Sequence, residues 1–363
     1  MLLDRRAARL TCSLIAICLF GSARTLEAQT TGMVEFFAAG KLQKGIPLVE
    51  LSNELVVMGR DGWLHSIDPR QPESRVRSTS ERFTPRPVHQ LRNDLQSEFG
   101  RNFEVVSTQS FLVVQPKGRG NQWAELFERS HRGFITYMSK RGVRVRQGKF
   151  PMVAIVFPDE LSMYREFRKL EIDVGRVAGV YSGNTNRVVT HDGGISRQTA
   201  ATVRHEAAHQ SAFNSGVHSR VNDNPRWITE GVGQLFEPEA ITQPSGSISL
   251  ANRINRESLS FLRRNLDHAN DLKFSRIVMQ LISDDSMFED PNQIDDAYAV
   301  AWAMMFYLAE RDSRAFAELL NHTARRPPFQ PYSRTTRIQD FDRITGVDTF
   351  EFSKRLSWFI DSL

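Results

Sequence analysis

The chain predicts an α+β fold, strand-rich in its first half and helical in its second, with a metal-binding signature where the two meet. Three observations carry this. Short apolar runs bounded by Gly and Pro recur up to about Thr190, and from Ser196 onward apolar residues recur at helical spacing instead. Between them stands His205-Glu206-Ala207-Ala208-His209. Residues four apart on a helix point the same way, so both imidazoles can reach one metal ion. The expected architecture is a mixed β-sheet over that helix, a mostly helical C-terminal half, a cleft between them, and a small β-rich module in front.

In chain order, residues 1–28 read as an export signal. Arg5, Arg6 and Arg9 precede an apolar run from Leu10 to Phe20, and small residues lead to a cleavage site after Ala28. The run is short for a membrane span, so the chain is expected to be exported to the periplasm or beyond, with no stable membrane insertion once the signal is cut. Both cysteines, Cys12 and Cys18, lie in this segment, leaving no disulfide or thiolate metal site downstream. Two of the five units of net positive charge lie there too. The remaining charge suits contact with anionic envelope polymers, and no basic helix or aromatic-basic interleaving marks a nucleic-acid module.

Residues 29–68 read as the β-rich module, with a turn at Gly45-Ile46-Pro47 and a hairpin at Gly59-Arg60-Asp61-Gly62; His65 there is a packing or surface residue. Residues 69–90, with Pro69, Pro72, Pro85 and Pro87 among several Arg, read as a linker. The main domain, 91–363, begins with strand text from Phe103 to Gln115 and a helix carrying Trp123, Phe127, Phe134 and Met138. Met152 to Phe157 is a continuous apolar run, as a strand buried on both faces requires, and a helix follows from Asp159 to Leu170. Val177 to Thr190 reads as a hairpin turning at Gly183-Asn184. That hairpin is either an edge that holds an extended peptide or an ordinary part of the sheet.

Ser196 caps the helix of the signature, which breaks at Asn214-Ser215-Gly216; Pro225 and Pro238 bracket the next. Phe274 to Ile282, Tyr298 to Leu308 and Phe352 to Ile360 supply further helices. One catalytic zinc usually takes three protein ligands and leaves a fourth position to water. His205 and His209 supply two, and Glu230 in the following helix is the best third. Zinc so held lowers the pKa of water, and Glu206, beside His205, is placed to take that water's proton.

His205 to His209, together with Trp227-Ile228-Thr229-Glu230-Gly231-Val232-Gly233-Gln234-Leu235-Phe236-Glu237, resembles the gluzincin metallopeptidases of the thermolysin-like and M1 aminopeptidase-like type. The resemblance implies a gluzincin-like domain, a peptide or protein substrate and one Zn2+. It also implies roles for Tyr298, as the phenol that stabilises the oxyanion, and for Glu237, as the acid that orients a ligand imidazole. The segment around Asn186 and Arg187 resembles the substrate-side edge strand of secreted bacterial relatives of unassigned activity. The G-x-M-E-N signature that anchors a free N-terminus in aminopeptidases is absent, which favours an endopeptidase. Ala212 and Ser215 stand where a metzincin needs Gly and His, and His218 reads as a loop histidine. The competing reading is a catalytically weak peptide- or envelope-binding protein on the same scaffold.

Overall fold

The computed structural model describes residues 24–25, 32–38, 40–169, 177–194, 196–243, 248–269 and 271–363. The apolar run from Leu10 to Phe20, both cysteines and the expected cleavage site lie outside them. The first sheet comprises β1 (Arg24–Thr25), β2 (Gly32–Ala38), β3 (Lys41–Glu50), β4 (Leu55–Gly59), β5 (Leu64–Ile67) and β6 (Arg77–Arg82). All its pairings are antiparallel, in the order β5-β4-β3-β2-β6, with β1 also on β3. Its inward side chains, Val34, Phe36, Leu55, Val57 and Ile67, form a small core of their own.

Two details depart from the sequence reading. Gly45-Ile46-Pro47 is not a turn but lies within β3, where the register shifts between Pro47 and Val49; the chain reverses instead near Gly40, at φ 73. Within the stretch read as a linker, Arg77–Arg82 is a strand on β2. Its Arg-Ser-Thr-Ser-Glu-Arg text is mostly exposed and carries no apolar alternation, so it joins the sheet through backbone hydrogen bonds.

The second sheet is mixed. It is built from β7 (Phe103–Ser107), β8 (Phe111–Pro116), β9 (Met152–Phe157), β10 (Gly179–Ser182) and β11 (Arg187–His191), interleaved with α1 (Val88–Phe99), α2 (Gln122–Lys140) and α3 (Glu160–Lys169). The order is β10-β11-β9-β8-β7, parallel across β8-β9-β11 and antiparallel at both flanks. Residues alternate between two cores. Leu112, Val114, Val153 and Ile155 face α1 and α3 through Leu91, Leu95, Met163 and Phe167. Phe111, Val113, Ala154 and Val156 face Trp123 and Phe127 of α2. Burial on both faces is why β9 reads as an unbroken apolar run.

The remainder is helical: α4 (Arg197–Ser215), α5 (Arg226–Leu235), α6 (Leu250–Arg253), α7 (Arg256–Asn265), α8 (Asp271–Ser283), α9 (Ile294–Arg311), α10 (Ser313–Ala324), α11 (Arg334–Thr345) and α12 (Thr349–Asp361). Its core gathers around α9, where Val300 to Phe306 are all buried. Among the described residues no helix is long and apolar enough to cross a membrane. The two sheets meet at the β10-β11 turn. The Leu64 N–H donates to the Asn184 carbonyl at 2.8 Å. Arg220 donates to the carbonyls of Gly62, Gly183 and Asn184 at 2.7, 2.6 and 3.0 Å.

Candidate metal centre

Helix α4 is fixed before any metal is considered. The Ser196 hydroxyl accepts from the Thr199 N–H at 3.0 Å, and Gly216 closes the helix at φ 77. Ala207 packs into the sheet core and Ala208 into the helical core, so the two alanines between the histidines wedge α4 between both halves of the domain. Gln210 ties it to the sheet, donating to the carbonyls of Val153 at 3.0 Å and Asn186 at 2.8 Å. These contacts turn His205 and His209 toward α5.

Helix α5 needs two unusual residues to come close. A Cβ on Gly231 would stand 2.6 Å from the Ala301 carbonyl oxygen of α9, and one on Gly233 would stand 2.6 Å from His205 Cε1 and Nε2. Glycine costs a helix interior roughly 0.5–1 kcal/mol relative to Ala. Here it lets α5 press on α9 with one face and on the His205 ring with the other. Glu230, 5% exposed, is thereby brought to the histidines.

The ligand atoms converge. His205 Nε2 and His209 Nε2 lie 2.9 Å apart, and Glu230 Oε2 lies 3.4 Å from the first and 3.6 Å from the second. A tetrahedral ion with bonds of ~2.0–2.1 Å has ligand–ligand edges of about 3.3 Å. The three spacings bracket that edge, so this donor set fits a divalent ion such as zinc, and among the described residues it is the group able to hold a metal.

Electrostatics point the same way, because Glu206, Glu230 and Glu237 crowd two imidazoles and together demand positive charge. Burial would push the His205 imidazole down, but Glu230 and Glu237 overcome this and hold it at about 10. Burial likewise opposes the Glu230 carboxylate, yet His209 and His205 bring it well below its ordinary range. A cation entering here replaces that proton.

Glu237 Oε1 lies 2.9 Å from His205 Nδ1, and Asn255 Nδ2 donates to Glu237 Oε2 at 2.8 Å. The ring is therefore held by its far nitrogen, with Nε2 turned to the ligand cluster. The Glu206 carboxylate accepts from the Tyr181 N–H of β10 at 2.7 Å, and its burial raises it above the ordinary carboxylate range. Thus the outer strand of the second sheet touches the residue beside the first ligand.

Other expected residues sit differently. Tyr298 is half-buried in the second turn of α9, one turn before the Ala301 that touches Gly231, and its ring meets Phe288 edge-on at 5.4 Å. Asn186 is buried at φ 58; its amide pairs reciprocally with Asn214 at 2.7 and 3.0 Å and its Oδ1 accepts from the Tyr181 hydroxyl. Arg187 pairs with Glu98 at 2.6 Å and lies over Trp63 at 4.9 Å. Both side chains are thus engaged by the fold. His218 lies in the loop after α4, only 2% exposed, against Phe213 at 5.4 Å, with neither ring nitrogen hydrogen-bonded. Burial, then the nearby charge of His209, pushes it down to about 3, so it stays neutral.

Sequence reasoning missed Tyr181 and Asn255, whose contributions are a backbone N–H and a neutral amide far along the chain. The Gly-x-Gly inside a helix was the one available signal for Gly233.

Residues 199–330 match a family described as Protein of unknown function (DUF1570). The matched stretch begins in α4 and runs past α10, so it contains both ligand helices and Tyr298. No curated protein matches the chain.

Proposed function

We propose that this protein is an exported, zinc-dependent metallopeptidase of gluzincin type that cuts within peptide chains. The observation carrying the proposal is the convergence of His205, His209 and Glu230, from two helices, at spacings suited to tetrahedral coordination, with the Glu206 carboxylate alongside. When bound, zinc supplies Lewis acidity to the scissile carbonyl and to the attacking water.

The chain's own residues do the rest. Glu206 takes the proton of the attacking water and returns it to the departing amine. The Tyr181 N–H holds one oxygen of this carboxylate and leaves the other for the proton. Glu237 and Asn255 keep His205 in the tautomer that presents Nε2. The phenol of Tyr298 is assigned to the developing oxyanion. The substrate strand is assigned to β10, the outermost strand of the second sheet, which runs beside Glu206.

Glu206→Gln should keep its zinc, measured by metal analysis, and lose roughly 10²–10⁴-fold or more of its turnover of a fluorogenic peptide library. His209→Ala should lose the metal as well. Equal cleavage by wild type and Glu206→Gln would refute the mechanism. Tightly bound zinc with no cleavage of the library would instead favour a peptide- or envelope-binding protein.

A further inference from the structure

On the side of α2 away from the sheet lies a cavity of about 530 Å³, bounded by α2, the turn at Glu239–Thr242 and the start of the C-terminal helices. Five cationic side chains line it: Arg129, Arg132, Lys140, Arg141 and Arg253. Among its described lining residues there is no carboxylate.

The walls are built to stay close. A Cβ on Gly133, in the middle of α2, would stand 2.6 Å from the Ile241 carbonyl oxygen, so glycine lets the helix and the turn touch. Two of the cations are anchored. Glu310 receives Arg253 through Nε at 3.0 Å and Nη2 at 2.6 Å, and it also pairs with Arg141. Arg141 is further held by the Ala309 carbonyl at 2.9 Å and lies 3.4 Å above the Tyr137 ring. One carboxylate thus serves two guanidinium groups and leaves an excess of charge within the wall. Arg129 and Arg132 lie about one turn apart on α2 and Lys140 about two turns further on, all exposed, and among the described residues no ion pair neutralises them.

We propose that this cavity is a binding site for a polyvalent oxyanion, a ligand carrying two or more phosphate groups. Guanidinium forks match the oxygen spacing of such groups, and several in one concavity can hold the same ligand at once. A single carboxylate would leave most of the charge unmet. A nucleobase has no free aromatic face to stack on, because Arg141 already covers Tyr137. The proposal does not depend on the metal centre.

The test is calorimetric titration of the full chain in EDTA, so that no metal-bound pyrophosphate contributes. Pyrophosphate serves as the free source and long-chain polyphosphate as the polymeric one. Saturable binding of one pyrophosphate per chain is expected, weakening as salt is raised. It should weaken at least tenfold in Arg129→Ala/Arg132→Ala, whose sites are exposed and whose folding is checked by circular dichroism. Arg264→Ala, at an exposed Arg of α7 outside the cavity, should match wild type. Binding of polyphosphate alone, or equal weakening in Arg264→Ala, would overturn the proposal in favour of diffuse surface charge.

Discussion

Gly233 shows how much a missing methyl group can decide. The His205 ring occupies the space its side chain would fill, so Gly233→Ala must displace either the ring or α5. The expected result is a loss of affinity for a divalent metal of about tenfold or more, of the size seen when groups supporting a ligand are disturbed. Competition with a chelating dye measures it, while the denaturation midpoint in EDTA should move little. That His205 and His209 face the same way was legible in the sequence, because residues four apart on a helix share a face. Their supports were not: the Tyr181 N–H belongs to no residue type, and Asn255 lies far from Glu237 in the chain and next to it in space. His218 does lie in a loop, as the sequence suggests, but its burial was not legible: the turn after Gly216 folds the ring inward against Phe213.

At the level of elements, the contact between α5 and α9 joins the ligand set to the helical core. Gly231→Ala brings a Cβ against the backbone oxygen of Ala301, which cannot rotate away. It should destabilise the protein by about 1–3 kcal/mol, as overpacking does, read from urea denaturation. Unlike Gly233→Ala it should lower the midpoint in EDTA as well. The strands and helices most easily foreseen were those buried on one or two faces, such as Met152–Phe157 and the helix around Trp302. Arg77–Arg82 was opaque because it carries no apolar alternation to mark a strand, and Gly45 to Pro47 misled because the residues that favour turns also serve irregular strands.

For the molecule as a whole, charge buried in pairs makes stability depend on acidity. Burial raises the Glu310 carboxyl, but Arg253 and Arg141 more than reverse this, so in the folded state it lies below its ordinary value of 4.5. A depressed carboxylate stabilises the fold fully above its unfolded value and loses that contribution as pH falls below about 4.5 toward the folded value. Wild type should therefore lose stability more steeply than Glu310→Gln through this acid range, compared by denaturation at a series of pH values. The division into a β-rich front, a second run of strands and helices, and a helical half followed from periodicity, whereas the strand directions did not. How they lean on one another did not, since Arg220 contacts backbone carbonyls that carry no mark in the text.

That brace has a mechanical meaning. One guanidinium spans the loop after β4 and the bend between β10 and β11, so slackening the front module would be felt at the strand whose amide steadies Glu206. Arg220→Ala should therefore speed deuterium uptake together at Leu64 and through Gly179–Ser182, while distant α12 keeps its protection. The joint would then act as a hinge pin, passing strain on the first sheet to the strand that holds Glu206.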